Sequence, residues 1–167
     1  MTDRRIALLL TRPLAQSKGF VNIFEGVSQP SPVHICISPL FEIIFQGPLP
    51  DMSPYRSLIF TSSNGVRAFS QLKPSSILPS FTVGKVTAET AISVGLPAQM
   101  LGLDVQDFTE AILSLKPETP CLHLRGDISR SALATQLSNA GLATDEAIVY
   151  RQRGLPLTKE AQQILLG

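Results

Sequence analysis

Four short polar turns hold most of the chemistry that this sequence can offer. They are Thr11-Arg12-Pro13, Thr61-Ser62-Ser63-Asn64-Gly65, Gly84-Lys85-Val86-Thr87 and Arg125-Gly126-Asp127. Each follows an apolar run and leads toward a helical pattern. The first backbone N–H groups of a helix lack intrahelical partners, and the helix dipole favours negative charge there. Ser62, Ser63 and Asn64 stand at such a start, with Gly65 allowing close approach. The same residue types cap helices in any protein, and the sequence leaves both readings open. Gly84, Lys85 and Thr87 form a second turn of this kind, in which Thr87 can bind an anion or cap a helix from residue 88. Lys85 reads as a solvated cation that can also screen ligand charge. Arg12 and Arg125 follow strands, where a guanidinium can take a carboxylate in bidentate fashion or join a structural salt bridge. Asp127 reads as a local turn residue.

These turns need strands to hold them at one edge. Ile6–Leu10 is apolar on both faces, as in a buried parallel strand. Pro13 suits the first turn of a helix. In that helix Phe20, Ile23 and Phe24 form the inward face, and Gly26 can end it. Val33–Ile37 is the second strand. The same grammar returns with strands near 57–60, 80–83, 99–101, 121–124 and 146–150. Helices follow near 63–72, with Val66 and Phe69 facing in, and near 88–94, with Gly95 at its end. Further helices are expected near 108–115 capped by Asp107, near 130–139 closed by Gly141, and from Thr158 to 166. Strands alternating with helices of about ten residues predict a parallel sheet covered on both faces. Ligands of such sheets bind at the carboxyl ends of the strands, where all four turns fall. One stretch breaks the rhythm. Residues 38–45 are extended with no helix after them, and residues 147–152 are extended on the way back. That pattern suggests one domain inserted into another.

The totals narrow the class. Hydrophobic residues make up 44% of the 167 and charged residues 16%, against about 25% charged in average globular chains. That balance favours packed cores over disorder. The formal net charge is +1 and aromatic residues are 6% with no Trp. A basic patch and base-stacking platforms are missing, so nucleic acid is not an expected partner. Cys36 and Cys121 lie in apolar runs and read as buried free thiols of a reducing compartment. No Cys/His spacing suggests a metal site. His34 and His123 lie within strand runs and read as core or sheet-face residues. No stretch approaches the roughly 20 apolar residues that span a bilayer. Residues 6–10 are too short for a signal-peptide core, and the cytosol is the expected location.

In order along the chain, several pieces resemble the uroporphyrinogen-III synthase family. They are Leu10-Thr11-Arg12-Pro13, Ser38-Pro39-Leu40-Phe41-Glu42-Ile43 and Ile59-Phe60-Thr61-Ser62-Ser63-Asn64-Gly65-Val66. Then come Val83-Gly84-Lys85-Val86-Thr87-Ala88, Leu124-Arg125-Gly126 and Ile148-Val149-Tyr150-Arg151. The resemblance implies an α/β fold of two small parallel-sheet, flavodoxin-like domains, one inserted in the other and joined by a two-stranded linker. The first would comprise 1–38 and 150–167 and be incomplete in this chain; the second would be 39–149. It also implies a monomeric lyase without cofactor or metal, whose substrate is hydroxymethylbilane, a linear tetrapyrrole with eight carboxylates. The enzyme would close it with inversion of ring D and loss of water to give uroporphyrinogen III, a haem precursor. The upstream hydroxymethylbilane synthase is a candidate partner.

In that scheme the terminal hydroxyl leaves as an azafulvenium cation forms, and a pyrrole carbon attacks it. The pyrroles are good nucleophiles, and the substrate closes unaided to the uninverted isomer. Positioning can supply about 7–11 kcal/mol, more than a single general acid worth about 10²–10⁴-fold. Tyr150 matches a family tyrosine on the return strand and is the candidate acid; its ordinary alternative is a half-buried aromatic. Thr87 matches the Gly-x-x-Thr turn and could bond a carboxylate or the leaving hydroxyl. Thr11, Arg12, Ser62, Ser63, Asn64, Gly84, Lys85, Arg125 and Gly126 are the candidate substrate contacts. Two other readings stand beside this one: an inactive fragment of the family, and a non-catalytic module that binds anionic ligands. A nucleotide-binding protein is a weaker fit, because no G-x-G-x-x-G or P-loop turn is present.

Overall fold

A computed structural model describes residues 6–27, 33–74, 77–128 and 132–166. The chain divides into two compact units, Met1–Ile43 with Gln152–Gly167, and Ile44–Arg151. The strands β3 (Phe41–Phe45) and β8 (Thr144–Gly154) run from one unit into the other.

Unit 1 is built on a βαβ turn of chain. β1 (Ile6–Leu10) and β2 (Val33–Ile37) pair in parallel with Ile6 opposite Val33 and Leu10 opposite Ile37. α1 (Leu14–Val27) connects them, and α6 (Lys159–Leu166) follows β8. Thr158 caps α6, its Oγ1 accepting from the Ala161 N–H at 3.2 Å, while its own N–H donates to the buried Ser38 Oγ at 2.9 Å. Cys36 is buried as expected, and burial together with the nearby Glu160 charge pushes its thiol pKa up.

Three expectations fail here. The face of α1 expected to turn inward does not: Phe20 is 41% and Ile23 70% exposed, and the residue that is buried is Ser17. Phe20 and Phe24 instead stack on each other, ring centroids 6.0 Å apart. Two strands about 5 Å apart make a strip too narrow to cover a 14-residue helix. For the same reason β1 is not buried on both faces, and Ile6 is 66% exposed. Gly26 does not end α1, which continues through Val27.

Unit 2 is a doubly wound parallel sheet. Its elements are β4 (Ser57–Phe60), α2 (Ser63–Gln71), β5 (Ser80–Val83), α3 (Lys85–Ser93), β6 (Ala98–Gly102), α4 (Val105–Leu115), β7 (Cys121–Gly126) and α5 (Leu133–Asn139), followed by β8. The strand order is β6-β5-β4-β7-β8 with β3 beyond β8. The pairs from β6 across to β8 are parallel. β3 runs against β8, with Gln46 N–H donating to the Val149 carbonyl at 2.8 Å. β4 is buried along its whole length, which is why Leu58–Phe60 is continuously apolar rather than alternating. One face carries Ile59, Phe81 and Cys121 against Phe108 and Ile112 of α4 and Leu133 and Leu137 of α5. On the other, Phe60 meets Phe69 of α2 edge to face, centroids 5.8 Å apart.

Helix starts differ from expectation in two places. α4 begins at Val105, not 108, and its cap is Asp104, whose Oδ1 accepts from Gln106 N–H at 2.9 Å and Asp107 N–H at 3.0 Å. Val105 packs against the core, which draws the helix start three residues back. α3 begins at Lys85, not 88, because Gly84 at φ +76° serves as the cap position directly. Residue 130, the expected start of α5, lies outside the described residues.

Candidate functional site

The order of the sheet in unit 2 fixes where a ligand can enter. The chain winds outward from β4 to β5 to β6, then returns to place β7 on the other side of β4 and continues to β8. The direction of winding reverses between β4 and β7. The crevice outside the carboxyl ends of the strands at such a reversal is the usual ligand site of open α/β sheets. β4 ends into Thr61-Ser62-Ser63-Asn64, β5 into Gly84-Lys85, and β7 at Arg125-Gly126. Three of the four turns thus share this edge. Thr11 and Arg12 stand at the corresponding end of β1 in unit 1, with Thr11 half-buried and Arg12 exposed.

At α2, Ser62 is the cap. Its backbone is extended at φ −152°, and its Oγ accepts from Asn64 N–H at 3.2 Å. Ser63 Oγ and Asn64 Oδ1 both accept from Arg67 Nη1, at 3.1 and 3.4 Å. Arg67 brings a cation to this helix start that the sequence reading missed; its signal was the i+4 spacing from Ser63, which puts both on one helix face. Gly65 is close to backbone rather than to open space: a Cβ there would lie 2.7 Å from the Leu124 carbonyl oxygen. The close approach that Gly65 allows is therefore of helix to strand.

α3 begins differently. Gly84 N–H donates to the Gly102 carbonyl at 2.8 Å, and no side chain caps the helix. The first N–H groups, at Lys85, Val86 and Thr87, are left facing the edge. Thr87 is not a cap; it sits inside the first turn, 6% exposed, with no hydroxyl partner among the described residues. Lys85 pairs with Glu89 at 3.7 Å on an exposed surface, where such pairs contribute little.

At the β7 and β8 ends, Arg125 Nε donates to Glu146 Oε2 at 2.8 Å and Nη1 to the Gly126 carbonyl at 2.8 Å. Gly126 is bare because the Tyr150 ring lies against it; an added Cβ would meet the ring at 2.5 Å. Tyr150 is 7% exposed, and its hydroxyl has no hydrogen-bond partner among the described residues. Beneath this pair His123 is 1% exposed, with Nε2 3.2 Å from Thr61 Oγ1 and Nδ1 3.6 Å from Glu146 Oε1. Burial lowers the His123 pKa to about 4; the Glu146 carboxylate pulls it back up and the Arg125 cation pushes it further down. Among the described residues no group of three His, Cys, Asp or Glu side chains is placed to hold a metal ion, and no helix is long and apolar enough to cross a membrane.

The family model of uroporphyrinogen-III synthase HemD matches residues 32–165. The chain belongs to the uroporphyrinogen-III synthase family. Its fold is similar to that of uroporphyrinogen-III synthetase from Helicobacter pylori 26695, with a TM-score of 0.62 and 25% identity over 83% of this chain and 64% of that one. A mutant uroporphyrinogen III synthase from the extremely thermophilic bacterium Thermus thermophilus superposes with a TM-score of 0.56 at 16% identity, over 90% of this chain and 64% of that one. The chain thus spans just under two thirds of the length of these structures. Among curated proteins no relative matches. The stretch matched to the uroporphyrinogen-III synthase family contains all three turns at the candidate edge of unit 2; Thr11 and Arg12 precede it.

Proposed function

We propose that this chain acts in the ring closure of hydroxymethylbilane, giving uroporphyrinogen III with inversion of ring D and loss of water. The observation that carries this reading is the convergence of two helix starts, Arg67 and Arg125 on one switch-point edge, in a chain of this family. A substrate with eight carboxylates and four weakly polar rings needs anion contacts spread over an edge, not one charged pocket. The uncapped start of α3 supplies backbone donors, with Gly84 keeping the approach open and Thr87 in reach. Lys85 adds a solvated cation nearby. Ser62, Ser63 and Asn64 with Arg67 supply a second anion contact, and Arg125 beside Gly126 a third. Thr11 and Arg12 take the same task on unit 1. In this reading the two units are two domains, 39–149 set into 1–38 and 150–167. A cytoplasmic monomer supplied by hydroxymethylbilane synthase completes it.

Tyr150 is the assigned acid. Its unpartnered hydroxyl is free to donate a proton to the departing hydroxyl, and its ring is fixed by Gly126. Because the substrate also loses that hydroxyl unaided, the loss in Tyr150→Phe should sit below the usual about 10²–10⁴-fold of general acids. About tenfold in kcat is expected, with the isomer ratio preserved. An unchanged kcat would remove Tyr150 from the chemistry.

The reading as a whole is tested by generating hydroxymethylbilane in situ with residues 1–167 present, oxidising the products and separating the isomers. Isomer III above the protein-free control is expected. Isomer I alone would overturn the catalytic reading; if the bilane still bound, unit 2 would be an anion-binding module without catalysis.

A further inference from the structure

Glu146 belongs to none of the turns, yet it is the point at which the strand ends of unit 2 are tied together. In the parallel pairing of β7 and β8 it stands opposite His123, while Arg125 stands opposite Ile148. One carboxylate oxygen takes the Arg125 Nε–H at 2.8 Å. The other faces the buried Nδ1 of His123 at 3.6 Å, an atom with no hydrogen-bond partner among the described residues. Across the ring, His123 Nε2 meets Thr61 Oγ1 at 3.2 Å, at the very end of β4. Arg125 Nη1 continues the chain to the Gly126 carbonyl, and Gly126 carries the Tyr150 ring. Thr61, His123, Glu146, Arg125 and Gly126 therefore line up across β4, β7 and β8, the His123–Glu146 step being a 3.6 Å approach rather than a hydrogen bond.

We propose that Glu146 is a positioning residue, which holds the Arg125 guanidinium in one orientation toward a substrate carboxylate. This rests on the proposed function above. The Glu146 side chain is 29% and the Arg125 side chain 20% accessible, so the pair is screened from solvent without being sealed. With Nε and Nη1 engaged, Nη2 is the nitrogen left without a partner among the described residues, and it defines a single direction of approach. Glu146 also cancels the Arg125 charge. Attraction for a polyanion is thereby weakened, while its register is tightened. For a reaction whose outcome depends on which fold of a flexible chain is held, that exchange favours isomer III.

The consequence is a split between binding and turnover. Glu146→Gln removes a negative charge beside a substrate with eight carboxylates, so KM should fall about threefold, the scale of a partly exposed ion pair. Gln keeps only a neutral acceptor for the Arg125 Nε–H, so the charge-assisted hold on the guanidinium weakens, and kcat should fall about tenfold through misplacement, with more isomer I in the product. Simple destabilisation would lower the active fraction without lowering KM. In an Arg125→Ala background, Glu146→Gln should still lower KM, because the carboxylate charge is removed either way, but should leave kcat and the isomer ratio where Arg125→Ala alone puts them. An unchanged kcat and isomer ratio in Glu146→Gln, or an equal effect on both in the Arg125→Ala background, would overturn the proposal.

If the unsubstituted chain makes no isomer III, the function reading fails, and the positioning role is decided by NMR of the ¹⁵N-labelled protein. A slowly exchanging Arg125 Nε–H signal that exchanges faster in Glu146→Gln supports the tether. The same exchange rate in both proteins overturns it.

Discussion

Replacing Gly65 by Ala is expected to destabilise unit 2 by about 2–3 kcal/mol. Propensity alone predicts the opposite sign, because Ala is better than Gly in a helix by about 1 kcal/mol. The added Cβ would stand 2.7 Å from the Leu124 carbonyl oxygen and 3.6 Å from its carbon. That oxygen is backbone of β7, fixed by the ladders on either side, and cannot turn away as a side chain would. Relief must come from α2 moving outward. Val66, Ala68 and Phe69 on that helix are fully buried, so an outward shift loosens contacts along the whole face, including the Phe60–Phe69 pair. Ser62 and Ser63 would move with it, away from the edge. The protein reports on unit 2 selectively, since it has two tyrosines and no Trp, and Tyr55 and Tyr150 both lie in Ile44–Arg151. Urea unfolding followed by tyrosine fluorescence gives the change. A midpoint at or above that of the unsubstituted protein would show that helix propensity governs and that the close approach is not needed.

The same glycine shows what could be read from sequence and what could not. A glycine after Ser62-Ser63-Asn64 marks a close approach, but only strand order reveals that the partner is β7. Parallel strands were legible because β4 is buried on both faces and Leu58–Phe60 is therefore an unbroken apolar run, with Cys121, Leu122 and Leu124 buried beside it in β7. Amphipathic α2 was legible because Val66 and Phe69 fall on one side of a 3.6-residue period. The failure at α1 has a different cause. Its period is helical, but which apolar residues are covered depends on how wide a sheet stands behind them. At α4 two aspartates, Asp104 and Asp107, each precede a helical pattern, and the choice between them was made by Val105 reaching the core. At α3 a Gly-x-x-Thr turn reads as a loop capped by Thr87, whereas glycine at positive φ starts the helix three residues sooner. The Thr61–His123–Glu146–Arg125 alignment was invisible. Its members lie 62 residues apart at Thr61 and His123 and 21 apart at Arg125 and Glu146, and only the pairing register brings them together.

Acidification from pH 7 to pH 4 is expected to remove about 3 kcal/mol from the stability of unit 2 through His123. The group's ordinary pKa is 6.5 and in the fold it is lowered to about 4. That difference, at about 1.4 kcal/mol for each pH unit, sets the scale. Its sign follows from proton uptake. Between pH 6.5 and 4 the unfolded chain binds the proton and the folded chain does not, so stability falls as pH falls. Above pH 6.5 neither state is protonated, and below pH 4 both are, so the contribution is flat on either side. The physical cause is burial of the ring at 1% exposure. The Glu146 carboxylate facing Nδ1 works against the shift and the Arg125 cation works with it. His123→Gln keeps a polar atom toward Thr61 Oγ1 and removes the titration. Its stability should fall less steeply than the parent's, with the gap changing through pH 6.5 to 4 and constant below. Parallel curves across that window would show that His123 takes up no proton on unfolding. At neutral pH the ring is uncharged, with Nε2 3.2 Å from the Thr61 hydroxyl. A second positive charge beside Arg125 would compete for Glu146, the group that holds the guanidinium. In the folded chain the ring charges only near pH 4, so the Arg125 tether should loosen there, and the Arg125 Nε–H should lose protection relative to a free guanidinium as the pH falls through about 4.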